Sequence, residues 1–328
     1  MKITMAHGSG GKSTSELIAA VFEKNFHNPV LARMEDSAVV PGAERIAVTT
    51  DSFVVTPLFF PGGDIGRLCI CGTVNDLLMS GAKPRYLTCG FILEEGADTD
   101  QLQKIAASMA ETAKEAGVSI VAGDTKVVEG QGGIYINTAG VGFVPAGTDL
   151  SSSYCKKGDA VLISGNLGDH HAAILSERMQ IKNTILSDCA PLGEMVNALL
   201  EAGVKVRTMR DVTRGGLGTV LNEFASASNC RIELIEEKLP VSAQVRGFCD
   251  ILGLDPLYMG NEGKMTVVVA PEDAEKALAC LKNSKYGENA AIIGSVLSQG
   301  HGEVLLRTPI GGTRIVTALY GEGLPRIC

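Results

Sequence analysis

The sequence predicts an α+β protein in two halves, on three observations. Short apolar strands and apolar or amphipathic helices follow one another along 328 residues without the strict alternation of a parallel α/β sheet. The stretch Pro145-Ala146-Gly147-Thr148, followed by Ser151–Ser153, breaks the pattern near the middle and marks a domain junction at about residue 150. The composition is 45% hydrophobic but only 5% aromatic, with no Trp and 39 glycines that cluster in loops. That describes aliphatic, Ala/Gly-rich enzyme cores and not a low-complexity chain.

Bulk properties narrow the function classes. A net charge of −8 argues against nucleic acid or an anionic membrane as the main partner. No apolar run reaches membrane-spanning length, and MKITMAHGSGG has no signal-peptide core, so a cytoplasmic protein is expected. Nine cysteines without a CxxC pair fit reduced, mostly buried thiols.

In chain order, MKITM suggests a short strand, followed by His7-Gly8-Ser9-Gly10-Gly11-Lys12-Ser13. Glycines let backbone N–H groups crowd an anion, and Lys12 adds a point charge. The run nearly fits a P-loop, with Ala6 where its first glycine belongs. Glu35-Asp36-Ser37-Ala38 is the next acidic site. Ile46–Thr50 reads as a β-branched strand with Asp51 at its end. A Pro/Gly break then leads to a helix over about 64–81, with Asp64 as N-cap. Its apolar side chains cover the whole circumference: Ile70, Val74 and Leu77 on one side, Ile65, Leu68, Cys69 and Met79 on the other. Such a helix is buried, and between Arg67 and Lys83 its only charge is Asp76. A buried carboxylate must be neutralised, either by a raised pKa, by a bond to a backbone loop or by a cation. With Asp51 on the neighbouring element, a divalent cation shared by Asp51 and Asp76 is the preferred reading.

Asp98 and Thr99 open an amphipathic helix running to about Gly117. Val118–Ala122 is a buried strand expected to end in Gly123-Asp124-Thr125-Lys126. This puts a carboxylate, a hydroxyl and an amine at a sheet edge where ligands bind, although a surface turn has the same composition. Residues 132–144 alternate like a strand. In the second half, Ala160–Ser164 enters Gly165-Asn166-Leu167-Gly168-Asp169-His170-His171, whose histidines read as a solvated cap sooner than as metal ligands. Met209-Arg210-Asp211-Val212-Thr213-Arg214-Gly215-Gly216 precedes a helix over about 217–227, and Asp211 there suits a metal–phosphate ligand. Asn261-Glu262-Gly263-Lys264 is a tight loop before the strand Met265–Ala270. A helix over about 272–281 and strands near 291–296, 304–307 and 313–316 follow. The chain closes on Gly321-Glu322-Gly323-Leu324-Pro325-Arg326-Ile327-Cys328, a tether that ends in a thiol. About seven residues let that thiol sweep roughly 20 Å.

Taken together, AHGSGGK, EDSA, TTDSFVVTPLFFPGGDIGRL, GTVNDLLMSGAKP, GDTKV, GNLGDH, MRDVTRGGL, MGNEGK and LPRIC resemble the HypE-type carbamoyl dehydratases, a family of hydrogenase maturation factors. More broadly they resemble the aminoimidazole ribonucleotide synthetase and selenophosphate synthetase superfamily. The resemblance runs from residue 6 to the end. It implies a flap segment (1–36), an ATP-binding dimerisation domain (37–150), a second α+β domain (151–318) and a tail (319–328). It also implies a homodimer whose N-terminal sheets pair into a barrel. The implied reaction is ATP-dependent dehydration of a carbamoyl group on Cys328 to a thiocyanate, with HypF as carbamoyl donor and the HypC–HypD complex as cyanide acceptor. Asp36, Asp51, Asp76 and Asp211 match the family's Mg²⁺–phosphate carboxylates, and Gly10, Gly11 and Lys12 its phosphate flap. Asp124, Thr125 and Lys126 match its GDTK run, with Asp124 as metal ligand or base and Lys126 stabilising the leaving oxygen. His171 and Val212 depart from the family pattern, which often has Gly and Pro there. The chemical logic agrees: an amide oxygen leaves poorly until it becomes a phosphate ester.

Two rivals remain open on sequence grounds. A selenophosphate-synthetase-like phosphotransferase would want a thiol in the flap, where this chain has GSGGK. A non-catalytic thiol carrier would need no acidic cluster.

Overall fold

A computed structural model describes residues 2–8, 12–33 and 37–319. The expected first strand is instead a single bridge, Lys2 to Asp98. Residues 5–8 form a 3-10 turn ahead of the short helix α1 (Lys12–Leu17). A P-loop needs a strand in front of its glycines, and the described residues before Lys12 form none.

β1 (Ile46–Phe53) is longer than expected, so Asp51 lies inside the strand opposite Thr138. A hairpin of β2 (Phe59–Phe60) and β3 (Gly63–Asp64) delivers the chain to α2 (Ile65–Met79). Then come β4 (Lys83–Glu94), α3 (Thr99–Ala116), β5 (Ser119–Val128) and β6 (Ile134–Phe143). The sheet order is β1-β6-β4-β5, and only the β4–β5 pair is parallel. Gly123–Lys126 therefore sits within β5 and not at its end. β4 runs on beside it to Glu94, and that pairing keeps the segment extended.

α2 and α3 cover one face of this sheet. α3 begins at its Asp98 cap and stops at left-handed Gly117, as its periodicity predicts. α2 starts where Asp64 accepts from the N–H groups of Gly66 and Arg67, at 2.7 and 3.1 Å. It is buried on nearly all sides because it lies between two units. β1 and β6 pack on one flank, while the helix Gly193–Glu201 and the strand Val206–Asp211 of the second half pack on the other. Each Leu or Ile so buried is worth about 1.5–3 kcal/mol relative to exposure.

The second half comprises β7 (Ala160–Ile163), α4 (Asp169–Met179), α5 (Gly193–Glu201), β8 (Val206–Asp211), α6 (Gly216–Ala227), β9 (Cys230–Ile235), α7 (Ala243–Leu252), β10 (Met265–Val269), α8 (Ala274–Asn283), β11 (Ala291–Gln299), β12 (Glu303–Arg307) and β13 (Thr313–Val316). Its seven-stranded sheet has the order β13-β12-β9-β11-β7-β10-β8. The adjacent histidines are not a solvated cap, because His170 and His171 are both buried in the first turn of α4.

Candidate active site

Leu68, Gly72 and Asp76 recur every fourth residue and form one stripe of α2. They line a cavity of about 260 Å³ between the two halves. Gly72 permits the close approach of β1: a Cβ there would stand 2.8 Å from the Phe53 ring. Asp51 is thereby brought to Asp76, whose Oδ2 accepts a 2.8 Å hydrogen bond from Thr49 Oγ1. From the second half, the end of β8 supplies Arg210 and Asp211, the turn into α6 supplies Thr213 and Arg214, and the loop before β10 supplies Glu262.

The electrostatics are those of carboxyls that cannot all ionise. Burial raises Asp51, Asp76 adds to the effect, and Arg214 opposes it. Burial pushes Asp211 up to about 7, with Asp76 and Asp51 adding repulsion and Arg210 opposing it. Glu262 is also raised, by burial first and then by Asp211 and Asp188. An all-oxygen, mutually repelling set suits a hard divalent cation such as Mg²⁺. Among the described residues, however, no three His, Cys, Asp or Glu side chains are already assembled as a metal site. The donors fit in kind, and an ion would have to draw them together. Gly215 and Gly216, at φ 78° and 63°, open α6 without a side-chain cap, so backbone N–H groups end near Arg214. Carboxylates, guanidinium groups and a helix N-terminus in one cavity are a metal–phosphate arrangement.

The other candidate residues lie elsewhere. The sheet register puts Asp51 and Thr125 on the α2 face, and Asp124 and Lys126 on the open face. Asp124 and Lys126 pair there at 2.9 Å, and this bond lowers the Asp124 carboxyl. Thr125 borders a small apolar cavity of about 150 Å³ under the N-terminal helical segment, with Phe22 and Phe91. Lys12 is exposed on α1, 3.7 Å from Glu16. Gly10, Gly11, Asp36 and Cys328 lie outside the described residues.

Glu262, Arg210 and Arg214 carry no signal of their own in the sequence and sit in runs that read only as a tight loop or as the setting of Asp211. No spacing rule reports that the loop before β10 folds back onto α2. His170 also lines the cavity. Its Nδ1 is 2.8 Å from Ser187 Oγ, and burial lowers its pKa to about 4, so the ring is neutral. The end of β13 lies beside the first turns of α6. Tyr258 Oη donates to the Thr317 carbonyl and Asn222 Nδ2 to that of Val316, both at 2.9 Å.

Comparison with known proteins agrees with this architecture. Residues 34–144 match the family model for AIR synthase related protein, N-terminal domain, and 156–307 the corresponding C-terminal domain. A carbamoyl dehydratase HypE from Bradyrhizobium diazoefficiens is 49% identical over 99% of this chain and 96% of its own length. The HypE of Escherichia coli is 47% identical over 99% of each chain. A crystal structure of hydrogenase maturation protein HypE in complex with ATP superposes with a TM-score of 0.95 at 46% identity, covering 99% of both chains. A HypE–HypF complex matches with a TM-score of 0.81 at 47% identity, covering 94% of this chain and 100% of the other. By sequence over its full length and by fold, the chain belongs to the HypE carbamoyl dehydratase family.

Proposed function

We propose that this chain is an ATP-dependent carbamoyl dehydratase of hydrogenase maturation, acting on a carbamoyl group carried as a thiocarbamate on Cys328. The observation that carries the reading is the cavity in which Asp51 and Asp76 of one half meet Asp211, Arg210, Arg214 and Glu262 of the other. Its place in the known family supports the choice of substrate, and the ATP complex of a HypE supports the nucleotide. Bound Mg²⁺ would neutralise phosphate charge and orient the γ-phosphoryl group. Asp51, Asp76 and Asp211 would hold it, with Asp36 added from outside the described residues.

The balance is R–S–C(O)NH₂ + ATP⁴⁻ → R–S–C≡N + ADP³⁻ + HPO₄²⁻ + H⁺. The carbamoyl oxygen attacks the γ-phosphorus and ADP leaves. The C–O bond then breaks toward phosphate as both amide protons are lost. Arg210 and Arg214 neutralise developing phosphate charge. Glu262 lines the cavity as a carboxyl placed to exchange a proton with the amide. The tail leaves β13 beside α6, which opens on the cavity. The nine residues after Leu319 can span up to about 30 Å, enough for Cys328 to alternate between a loading partner and this cavity. Gly10, Gly11 and Lys12 would close over the phosphates.

HypF as donor is supported by the HypE–HypF complex. A HypC–HypD acceptor and a homodimer belong to the same reading. The open face of the first sheet exposes Ile46, Val48, Ile92 and Val128, apolar area that a second copy would cover, pairing the two sheets into a barrel. In one copy, Asp124 and Lys126 stand on the far face and far edge from Asp51. The roles assigned to them, with Lys126 stabilising the leaving oxygen and Asp124 as base or metal ligand, therefore go with that dimer. The test is intact-protein mass spectrometry with HypF, carbamoyl phosphate, ATP and Mg²⁺. Wild type should gain the carbamoyl and then the cyano increment, while Cys328→Ala folds and gains neither. Labelling of Cys328→Ala at another cysteine would end the reading.

A further inference from the structure

The carboxyl cavity is built from two units, so something must set their register to within the tolerance of the chemistry. Asn75 precedes Asp76 on α2, and its side chain turns toward the second half. It is 1% exposed. Its Nδ2 donates to the Ala190 carbonyl at 3.0 Å and reaches the Glu262 carbonyl at 3.4 Å, while its Oδ1 accepts from the Leu192 N–H at 2.9 Å. The Glu262 peptide is gripped from its other end as well, where its N–H donates to Asp188 Oδ1 at 3.0 Å. The Ala190 N–H reaches the Glu262 carbonyl at 3.4 Å.

Residues 187–192 thus form a strap from the second half laid along α2. Its other ties hold the strap without touching Glu262: the Ser187 N–H donates to the Pro61 carbonyl, and Arg67 Nε donates to the Cys189 carbonyl, each at 2.8 Å. Of the α2 side chains bonded to the strap, Asn75 alone among the described residues also reaches Glu262. One carboxamide therefore fixes three backbone groups, two on the strap and one on a residue that lines the cavity.

We propose that Asn75 is a positioning residue: it locks the helix that carries Asp76 to the strap and to the loop that carries Glu262, and so holds the two halves of the site in catalytic register. The geometry is specific to a carboxamide. Leucine has the shape but neither function: it takes a partner from the buried Ala190 carbonyl and Leu192 N–H and leaves the Glu262 carbonyl only the long contact from the Ala190 N–H. Aspartate can still accept from Leu192, but it sets a carboxylate against the carbonyls of Ala190 and Glu262. A misplacement of about 1 Å at a reacting group can cost about a hundredfold in rate. Asp51 and Asp76, two of the three carboxylates that would hold the metal, stay together on the first half, so binding should suffer less than turnover.

The inference rests on the cavity being the site of phosphoryl transfer, and the experiment separates the two. Full-length wild type, Asn75→Leu, Asn75→Asp and Leu281→Ala are compared, the last a core truncation in α8 that neither lines the cavity nor bonds the strap. Two readouts are taken: ATP turnover by the carbamoylated protein, and the native-state alkylation rate of Cys71 and Cys189, mapped by peptide mass. These thiols are buried against each other, one on α2 and one on the strap, so their protection reports the lock directly. Both Asn75 variants should lose at least about tenfold in kcat with KM for ATP changed less than about threefold. Cys189 should be alkylated about ten times faster or more in both. Leu281→Ala should lower Tm while keeping kcat and the protection of Cys189. If Asn75→Leu does not fold, Asn75→Asp carries the same expectations. Near-normal kcat, or unchanged protection of Cys189, in a folded Asn75 variant overturns the proposal. A wild type without ATP turnover would sink the reading of the cavity instead, and the alkylation rates would still decide the lock.

Discussion

Asp211 is the residue whose protonation should be visible from outside. Its folded pKa of about 7 lies above the ordinary 3.8. Between these values the folded chain holds a proton that the unfolded chain has released. The stability it lends is complete below pH 4 and is lost as pH rises through about 7. Asp169, raised to about 6 chiefly by burial, behaves alike over a lower window. His170 has the opposite sign: its folded pKa of about 4 is below the ordinary 6.5, so its contribution is complete above pH 6.5 and is lost as pH falls through 4. The effects oppose one another in mild acid, and near pH 7 Asp211 stands apart from both. Without Mg²⁺, the fall in Tm due to Asp211 should run up to about pH 7 and be spent above it, and Asp211→Asn should flatten that slope. Saturating Mg²⁺ should flatten it in wild type by taking the proton's place. Thermal melts across pH check this, and an equal slope in Asp211→Asn would contradict it. Asp76 was legible as the lone charge on an apolar helix. Glu262 was not, because its importance comes from a loop folding back onto α2, a contact between distant parts of the chain that local patterning does not encode.

At the scale of elements, α2 was the most legible part of the chain. Its apolar run is long, its entry follows a Pro/Gly break, and its cap is an Asp with two N–H groups in reach. Asp64→Ala should cost about 1 kcal/mol, read from urea unfolding as a lower midpoint with unchanged slope. No change in midpoint would show that packing on all sides holds the first turn without its cap. The strands were harder. β5 was expected to stop at Gly123 because glycine and aspartate usually end strands, but nine residues of parallel pairing with β4 override that local preference. β4, α5, β8, β9 and α7 were not read as elements at all. β9, for example, alternates over only six residues, too short a run to stand out. The histidine pair reads as solvated for a related reason: two polar residues opening a helix look exposed until a second layer, here Ser187 of the strap over His170, covers them.

For the whole molecule, the sheet poses a question that one copy cannot answer. Its strand order sets Asp51 on one edge strand and Asp124 and Lys126 on the other, facing opposite ways. If all three serve one reaction, a second copy has to bring the edges together, and the exposed face with Val48 at 65% and Ile46 at 54% is where it would dock. Complementation then follows. Asp76→Asn and Lys126→Ala should each be inactive as homodimers. In a mixed population, half the dimers carry one of each, and each of these has one site with every residue intact. Equal mixing should therefore restore about one quarter of wild-type ATP turnover. Val48→Glu in both variants puts a charge into the apolar face and should abolish the recovery by keeping copies apart. Native mass spectrometry establishes that subunits have exchanged. Exchange without recovered activity would place Lys126 and Asp76 in the same copy's site, and an active Lys126→Ala homodimer would remove Lys126 from the chemistry.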